Sequence, residues 1–85
     1  MKNIIMYTGP MCAFCDAAKR LFKRNNVSFE EIDIGNDLTI REEMIKKSNG
    51  RRTVPQIFIE NNHVGGYEEL RALEKSGELK SILGN

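Results

Sequence analysis

The 85-residue sequence has no tryptophan, a single histidine and only two cysteines. Zinc sites in proteins usually take four ligands, so this shortage argues against a zinc centre, and we predict no metal-ligating residues. No apolar stretch approaches the roughly 20 residues needed to cross a bilayer, and we expect no membrane partner. Residues 1–7 are too short for a signal peptide, since a Gly-Pro pair soon follows them. These absences favour the cytoplasm, where a pair of thiols is kept reduced.

The sequence also lacks an excess of charge of either sign, and it has no repeat or low-complexity tract. Thirteen basic residues against 12 acidic ones give a net charge of +1, which argues against a general nucleic-acid binder. The hydrophobic fraction of 40% is ordinary for a globular protein. A chain of this size supports one hydrophobic core, so we predict one domain over residues 1–85. We expect a monomer, although no sequence feature determines the oligomeric state.

Two cysteines in a C-x-x-C motif, Cys12-Ala13-Phe14-Cys15, carry the clearest chemical signal. An apolar run and a Gly-Pro turn precede the motif, and a strongly periodic helical stretch begins at or just after Cys12. The unpaired N–H groups and the dipole of a helix N-terminus favour a thiolate there. Cysteines in such positions have pKa values lowered to roughly 3.5–7.5, against about 8.5 for a free thiol. We predict that Cys12 is the nucleophile and that Cys15, one turn later and more buried, is the resolving thiol.

Two other interpretations of this motif stay open on the motif alone. A C-x-x-C motif is also found as half of a zinc site, but here His63 is the only histidine that could serve as a third ligand. A structural disulfide would close a very short loop and therefore stabilise the fold little. Thiol–disulfide exchange is the interpretation we prefer.

Hydrophobic periodicity predicts the order β-α-β-α-β-β-α with a last short helix. Strands are predicted at Ile4–Tyr7, Val27–Ile34, Gln56–Ile59 and around His63-Val64; helices are predicted from about Cys12 to Asn25-Asn26, from Leu38 or Thr39 to Ser48, from Tyr67 to Lys75 and around Leu79, Ile82 and Leu83. The β-α-β unit implies parallel strands, and the hairpin implies an antiparallel edge strand. We therefore predict an α/β fold, with a four-stranded mixed sheet in the order 2-1-3-4 and helices on both faces.

Several local features are predicted as well. The buried face of the first helix is Phe14, Ala17, Ala18, Leu21 and Phe22. Thr39 and Glu42 have the spacing of a capping box for the second helix. A tight turn is predicted at Asn61-Asn62. The second strand has either two apolar faces or a bulge near Glu30-Glu31.

Three separated motifs resemble the glutaredoxin family, which has a thioredoxin-like fold. They are the C-x-x-C motif, the segment Thr53-Val54-Pro55 before the third strand, and the Gly65-Gly66 pair before Tyr67-Glu68-Glu69-Leu70. Their spacing also fits, and the likeness covers essentially the whole chain.

The resemblance implies a glutathione site. It implies a cis bond before Pro55 that turns the Val54 backbone toward the cysteines, where an extended peptide can pair with it. The positions of Gly66, Tyr67 and Glu68 would hold the γ-glutamyl end at a helix N-terminus. The glutathione-binding residues implied in this way are Phe14, Arg52, Thr53, Val54, Pro55, Gly66, Tyr67 and Glu68. For the glycyl carboxylate, Arg51 and Arg41 are candidates beside Arg52.

The sequence departs from the family pattern at four positions. Gly9 replaces a frequent lysine, so the carboxylate contact must come from elsewhere or be weaker. Ala13 and Phe14 replace proline and tyrosine inside the motif, and Phe14 keeps a stacking face without a hydroxyl. Glu68 replaces an aspartate and is longer.

The resemblance implies a glutathione-dependent thiol–disulfide oxidoreductase with glutathione as co-substrate. It would reduce protein disulfides and protein–glutathione mixed disulfides, serve cell redox homeostasis and donate electrons to enzymes such as ribonucleotide reductase. One alternative is a carrier of a [2Fe–2S] cluster ligated by Cys12 of two chains and two glutathione thiols, which Ala13 leaves open. The other is a redoxin reduced by thioredoxin reductase.

Overall fold

The computed structural model describes residues 2–84 and contains a four-stranded sheet with helices on both faces. The elements are β1 (Ile4–Thr8), α1 (Ala13–Arg24), β2 (Glu30–Asp33), α2 (Leu38–Lys47), β3 (Gln56–Ile59), β4 (Asn62–Gly65), α3 (Tyr67–Ser76) and α4 (Glu78–Leu83). The strand order is β2-β1-β3-β4. Strand β1 pairs parallel with β2 and antiparallel with β3, and β3 pairs antiparallel with β4. The predicted topology is confirmed.

The alternating side chains of the central strands supply two separate apolar clusters, one on each face of the sheet. On the first face, Ile4 and Met6 of β1 pack with residues from α1, α3 and α4. On the second face, Tyr7 of β1 and Phe58 of β3 pack against Met44 of α2. Burial on both faces explains why β1 and β3 are apolar at nearly every position.

The second strand is shorter than predicted, because β2 covers Glu30–Asp33 rather than Val27–Ile34 and has Ile32 as its one apolar residue. The predicted apolar residues outside it still pack on both faces of the sheet, since Val27 and Phe29 contact the first cluster and Ile34 belongs to the second. The pairing of β1 with β2 runs without a shift from Ile5–Glu30 to Thr8–Asp33. The shift in register lies instead between Ile57 and Phe58, where β3 pairs with β4.

Three local predictions were wrong. Helix α2 is capped by Asp37, whose Oδ1 accepts from the backbone N–H groups of Thr39 (2.9 Å) and Ile40 (3.2 Å), so Thr39 lies inside the helix. The turn between β3 and β4 is formed by Glu60 and Asn61, which both have positive φ (51° and 68°), so it begins one residue earlier than predicted. Phe14 is 59% exposed rather than buried with the apolar face of α1.

A charged cluster ties the end of α1 to α3. The Glu74 carboxylate accepts from Arg24 Nε (3.0 Å) and Nη2 (2.8 Å) and from Asn25 Nδ2 (2.8 Å). These donors, the Arg24 guanidinium above all, hold the pKa of Glu74 below its usual value. The cluster therefore links the C-terminal end of α1 to α3.

Candidate redox site

The two cysteines lie at the N-terminus of α1, directly after the loop that follows β1. Cys12 is the N-cap residue, with extended backbone angles (φ −116°, ψ 101°), and its Sγ accepts from the backbone N–H of Cys15 at 3.1 Å. A disulfide joins the two residues, whose Cα atoms are 5.2 Å apart. Cys15 is 2% exposed, whereas Cys12 is half-buried. The structure therefore gives the two sulfurs different access to a substrate, as predicted.

The same N-cap geometry favours negative charge on Cys12 when the pair is reduced. The first N–H groups of α1 have no partner within the helix, and one of them already points at this sulfur. The helix dipole adds positive potential at the same end. A sulfur in this position is suited to act as a nucleophile or as a leaving group in thiol–disulfide exchange.

The segment before β3 lies against Cys12. The Val54–Pro55 peptide bond is cis, as the resemblance implies. The carbonyl oxygen of Val54 is 3.6 Å from the Sγ of Cys12. The main chain of this segment therefore borders the reactive sulfur directly.

A cavity of about 270 Å³ opens between this segment, the first turn of α1 and the start of α3. It is lined by Phe14, Arg51, Thr53, Val54, Pro55, Gly66, Tyr67, Glu68 and Glu69. The structure thus brings together seven of the eight residues that the resemblance implied for glutathione. Arg52 is exposed and is not part of this lining, where Arg51 supplies the cation instead.

Two aromatic rings form one wall of the cavity. Phe14 and Tyr67 stack with ring centroids 5.9 Å apart and an angle of 25° between their planes. Phe14 comes from the first turn of α1, and Tyr67 is the first residue of α3. The stack therefore joins the two helix N-termini that border the site.

Glu69 holds together another part of the lining, although sequence reasoning did not single it out. Its Oε1 accepts from the backbone N–H of Gly66 (2.6 Å) and from Arg51 Nη1 (3.0 Å). These bonds, first that of Gly66 and then that of Arg51, lower the pKa of Glu69. A glutamate three residues after a helix N-cap is a known start signal, so the Gly66–Glu69 spacing was the available clue.

The paired glycines leave room for this arrangement. A Cβ on Gly65, whose φ is +121°, would lie 2.5 Å from Glu69 Oε1 and 3.0 Å from Arg51 Nη1. A Cβ on Gly66 would lie 3.3 Å from the carbonyl oxygen of Pro55. Gly65 therefore needs glycine for its backbone conformation and for close approach, whereas Gly66, whose backbone is extended, needs it only for close approach.

Residues 2–84 contain neither a cluster suited to a metal ion nor a helix suited to a membrane. No group of three or more histidine, cysteine, aspartate or glutamate side chains in this part of the chain is arranged to hold a metal ion. Among the described helices, none is both long enough and apolar enough to span a membrane.

Comparison with known proteins agrees with this geometry. A family model described as glutaredoxin matches residues 4–64. The chain is 47% identical over 83 residues to Glutaredoxin 3 of Escherichia coli (strain K12), covering 98% of this chain and 99% of that protein. It is similar to the solution structure of glutaredoxin from Brucella melitensis, with a TM-score of 0.85 and 46% identity over 98% of this chain and 89% of the other.

A crystal structure of a buckwheat glutaredoxin–glutathione complex shares the fold, with a TM-score of 0.87 at 23% identity over 98% of this chain and 77% of the other. The matched family model, the relatives at nearly half identity and the Cys12–Cys15 pair at the start of α1 all agree. The chain belongs to the glutaredoxin family, whose members are oxidoreductases with a thioredoxin-like fold.

Proposed function

We propose that this chain is a glutathione-dependent thiol–disulfide oxidoreductase that acts on protein–glutathione mixed disulfides and on protein disulfides. The observation that carries the proposal is the position of Cys12, at a helix N-terminus and 3.6 Å from the Val54 carbonyl oxygen. Val54 also lines a cavity that offers main-chain groups, the Arg51 cation and an aromatic wall. A short peptide with a central thiol and two carboxylates has the matching chemistry.

In the first reaction the Cys12 thiolate attacks the glutathione sulfur of a protein–glutathione mixed disulfide. The bond between Cys12 and glutathione forms as the protein–glutathione bond breaks, and the protein leaves as a thiolate that takes a proton from solvent. A second glutathione thiolate then attacks the glutathione sulfur on Cys12 and restores the Cys12 thiolate. The substrate gains two electrons, and two glutathione molecules leave as one disulfide.

In the second reaction a protein disulfide is reduced by both cysteines. Cys12 attacks one sulfur, and the Cys15 thiol loses its proton and attacks Cys12 Sγ, which releases the second substrate thiolate. The product is the Cys12–Cys15 disulfide, the redox state present in this structure. Glutathione then reduces this disulfide in two exchange steps.

Recognition would use the main chain for the middle of glutathione and fixed charge for its ends. Val54 would pair with the cysteinyl residue of glutathione as an added strand does. The first N–H groups of α3, at Tyr67 and Glu68, would hold the γ-glutamyl carboxylate. We assign the glycyl carboxylate to Arg51 rather than Arg52, because Arg51 lines the cavity. Phe14, Thr53, Pro55 and Gly66 would complete the walls.

An activity assay tests this proposal directly. Purified protein is given a small glutathione mixed disulfide with glutathione, glutathione reductase and NADPH, and NADPH oxidation is followed. We expect turnover that depends on both glutathione and the chain. In a parallel assay, thioredoxin reductase replaces glutathione and its reductase.

The outcomes separate the three functions considered from the sequence. Reduction of the Cys12–Cys15 pair by thioredoxin reductase, without turnover with glutathione, would replace the proposal by a thioredoxin-reductase-dependent redoxin. Anaerobic reconstitution with iron, sulfide and glutathione tests the cluster carrier, which requires a visible absorbance band and a dimer. A cluster without turnover on the mixed disulfide would contradict the proposal.

A further inference from the structure

A buried glutamine connects the cavity to the edge of the sheet. Gln56 is the first residue of β3, follows Pro55 directly and is fully buried. Its Nε2 donates to the carbonyl oxygen of Thr53 (3.0 Å) and lies 3.3 Å from Thr53 Oγ1. Its Oε1 is 2.7 Å from His63 Nε2. Gln56 therefore bridges Thr53, which lines the cavity, and His63 on β4.

The acceptor chemistry fixes which atoms carry hydrogen along this bridge. The Thr53 carbonyl can only accept, so the Gln56 amino group must face it and the amide oxygen must face His63. An amide oxygen also only accepts, so His63 Nε2 carries a hydrogen and donates it. This assignment holds whether the imidazole is neutral or protonated, since Nε2–H is present in both forms.

The histidine ring is itself held in place. His63 is half-buried and lies opposite Phe58 in the β3–β4 pairing. The two rings have centroids 5.0 Å apart and an angle of 32° between their planes. A fixed ring fixes the direction of its Nε2–H, and with it the side-chain conformation of Gln56.

We propose that His63 is a positioning residue, which acts through Gln56 to hold the Thr53-Val54-Pro55 segment where its main chain meets the ligand beside Cys12. His63 is not in the lining of that cavity, so its effect on the ligand is indirect. Without its donor, the buried Gln56 oxygen loses a partner, and an unpaired buried acceptor is costly enough to drive the amide to rotate. Rotation would release the Thr53 carbonyl. This inference rests on the proposed glutathione-dependent function.

Two variants at one position separate the donor from the ring. His63→Gln keeps an N–H donor on a side chain of similar reach, whereas His63→Leu keeps bulk and loses the donor. We expect His63→Leu to raise the KM for the small glutathione mixed disulfide by about threefold to tenfold, the effect of one lost hydrogen bond, with kcat nearly unchanged. His63→Gln should restore most of the wild-type KM. A merely structural role would lower the melting temperature of both variants and leave KM unchanged.

A folded His63→Leu variant with wild-type KM would overturn the inference, and so would equal KM values in the two variants. If His63→Leu does not fold, wild-type protein gives a second test by NMR. Arg51 and Glu69 are the charged groups that act on His63. Protonation of the ring strengthens the Nε2–H bond to Gln56 without breaking it, so the amide signals of Thr53 and Val54 should shift with the titration of the histidine and not only with that of Glu69. Amide signals that do not change as the histidine titrates would contradict the proposed role of His63. Wild-type protein inactive on the mixed disulfide would overturn the proposed function instead, whatever the NMR result.

Discussion

The Sγ of Cys12 and the carbonyl oxygen of Val54 lie 3.6 Å apart, although 42 positions separate them in the chain. The contact joins the start of α1 to the loop before β3, so the sulfur of Cys12 is bordered there by a main-chain group. Main-chain groups can pair with any extended peptide. A site built this way would recognise the glutathione part of a mixed disulfide and accept many different proteins attached to it.

Serine substitutions should show which of the two reactions each cysteine is needed for. Cys12→Ser removes the proposed nucleophile and should abolish turnover of both the glutathione mixed disulfide and a protein disulfide. Cys15→Ser should retain the first activity and lose the second, because only the second needs a resolving thiol. Both activities are measured by NADPH oxidation coupled to glutathione reductase. Deglutathionylation that survives in Cys12→Ser, or is lost in Cys15→Ser, would contradict the assigned roles.

The Phe14–Tyr67 stack should matter more for binding than for stability. Phe14 is 59% exposed, so Phe14→Ala should change the free energy of unfolding by less than about 1 kcal/mol. It removes one face of the cavity, and an aromatic contact of about 0.5–1.5 kcal/mol corresponds to a rise in KM of about twofold to tenfold. Leu38→Ala is the control, because Leu38 is also apolar and exposed (79%) but does not line the cavity. Equal KM values in the two variants would show that the Phe14–Tyr67 stack does not contribute to ligand binding.

Alanine at Gly65 should be more damaging than alanine at Gly50. Both glycines have positive φ (+121° and +92°), which costs a residue with a Cβ about 1–2 kcal/mol. At Gly50 nothing lies within 4 Å of an added Cβ, whereas at Gly65 that atom would displace the Glu69 carboxylate. Loss of the Glu69–Gly66 cap adds about 1 kcal/mol. Urea denaturation measures both variants, and equal losses would mean that the cap does not stabilise α3.

The charge of Glu69 should make this part of the fold sensitive to acid. Its pKa is lower in the folded protein than the usual 4.5, so the folded state keeps the carboxylate where the unfolded state binds a proton. The resulting stabilisation is present above pH 4.5 and is lost as the pH falls through the folded pKa. Wild-type protein should therefore lose more stability than Glu69→Gln between neutral and acidic pH. Parallel curves in thermal denaturation would show that the carboxylate is not stabilised by folding.

The strands and helices followed from hydrophobic periodicity because each central strand is buried on two faces and α1 has a continuous apolar stripe. Periodicity failed at Phe14 for a geometric reason. It lies on the apolar stripe, but the first turn of α1 projects toward Tyr67 at the site rather than over the sheet. The spacing of apolar residues along one helix carries no information about where the neighbouring helices and strands end.

The sequence alone could not choose between competing local partners. Asp37 and Thr39 are both good N-caps, and only the path of the chain into α2 selects Asp37. Arg51 and Arg52 are adjacent and identical, and the carboxylate of Glu69, 18 residues later, determines that Arg51 faces the cavity. Motif spacing located the site, whereas tertiary contacts determine which of two equivalent neighbours takes part.

The only histidine in the chain permits a direct measurement of its environment. Burial, and next the nearby Arg51 guanidinium, lower the pKa of His63 below 6.5, and Glu69 opposes them in part. In the window between the folded pKa and 6.5, the unfolded state binds a proton that the folded state does not, so stability falls as the pH falls. The single histidine Cε1–H signal in NMR should therefore titrate below pH 6.5.

Denaturation of wild type and His63→Gln at about pH 7.5 and about pH 5.5 isolates the contribution of the histidine to stability, because the other titrating groups are shared. We expect the wild type to lose more stability than the variant at the lower pH, and a midpoint of the NMR titration at or above 6.5 would contradict the burial of the ring as the cause of its lowered pKa.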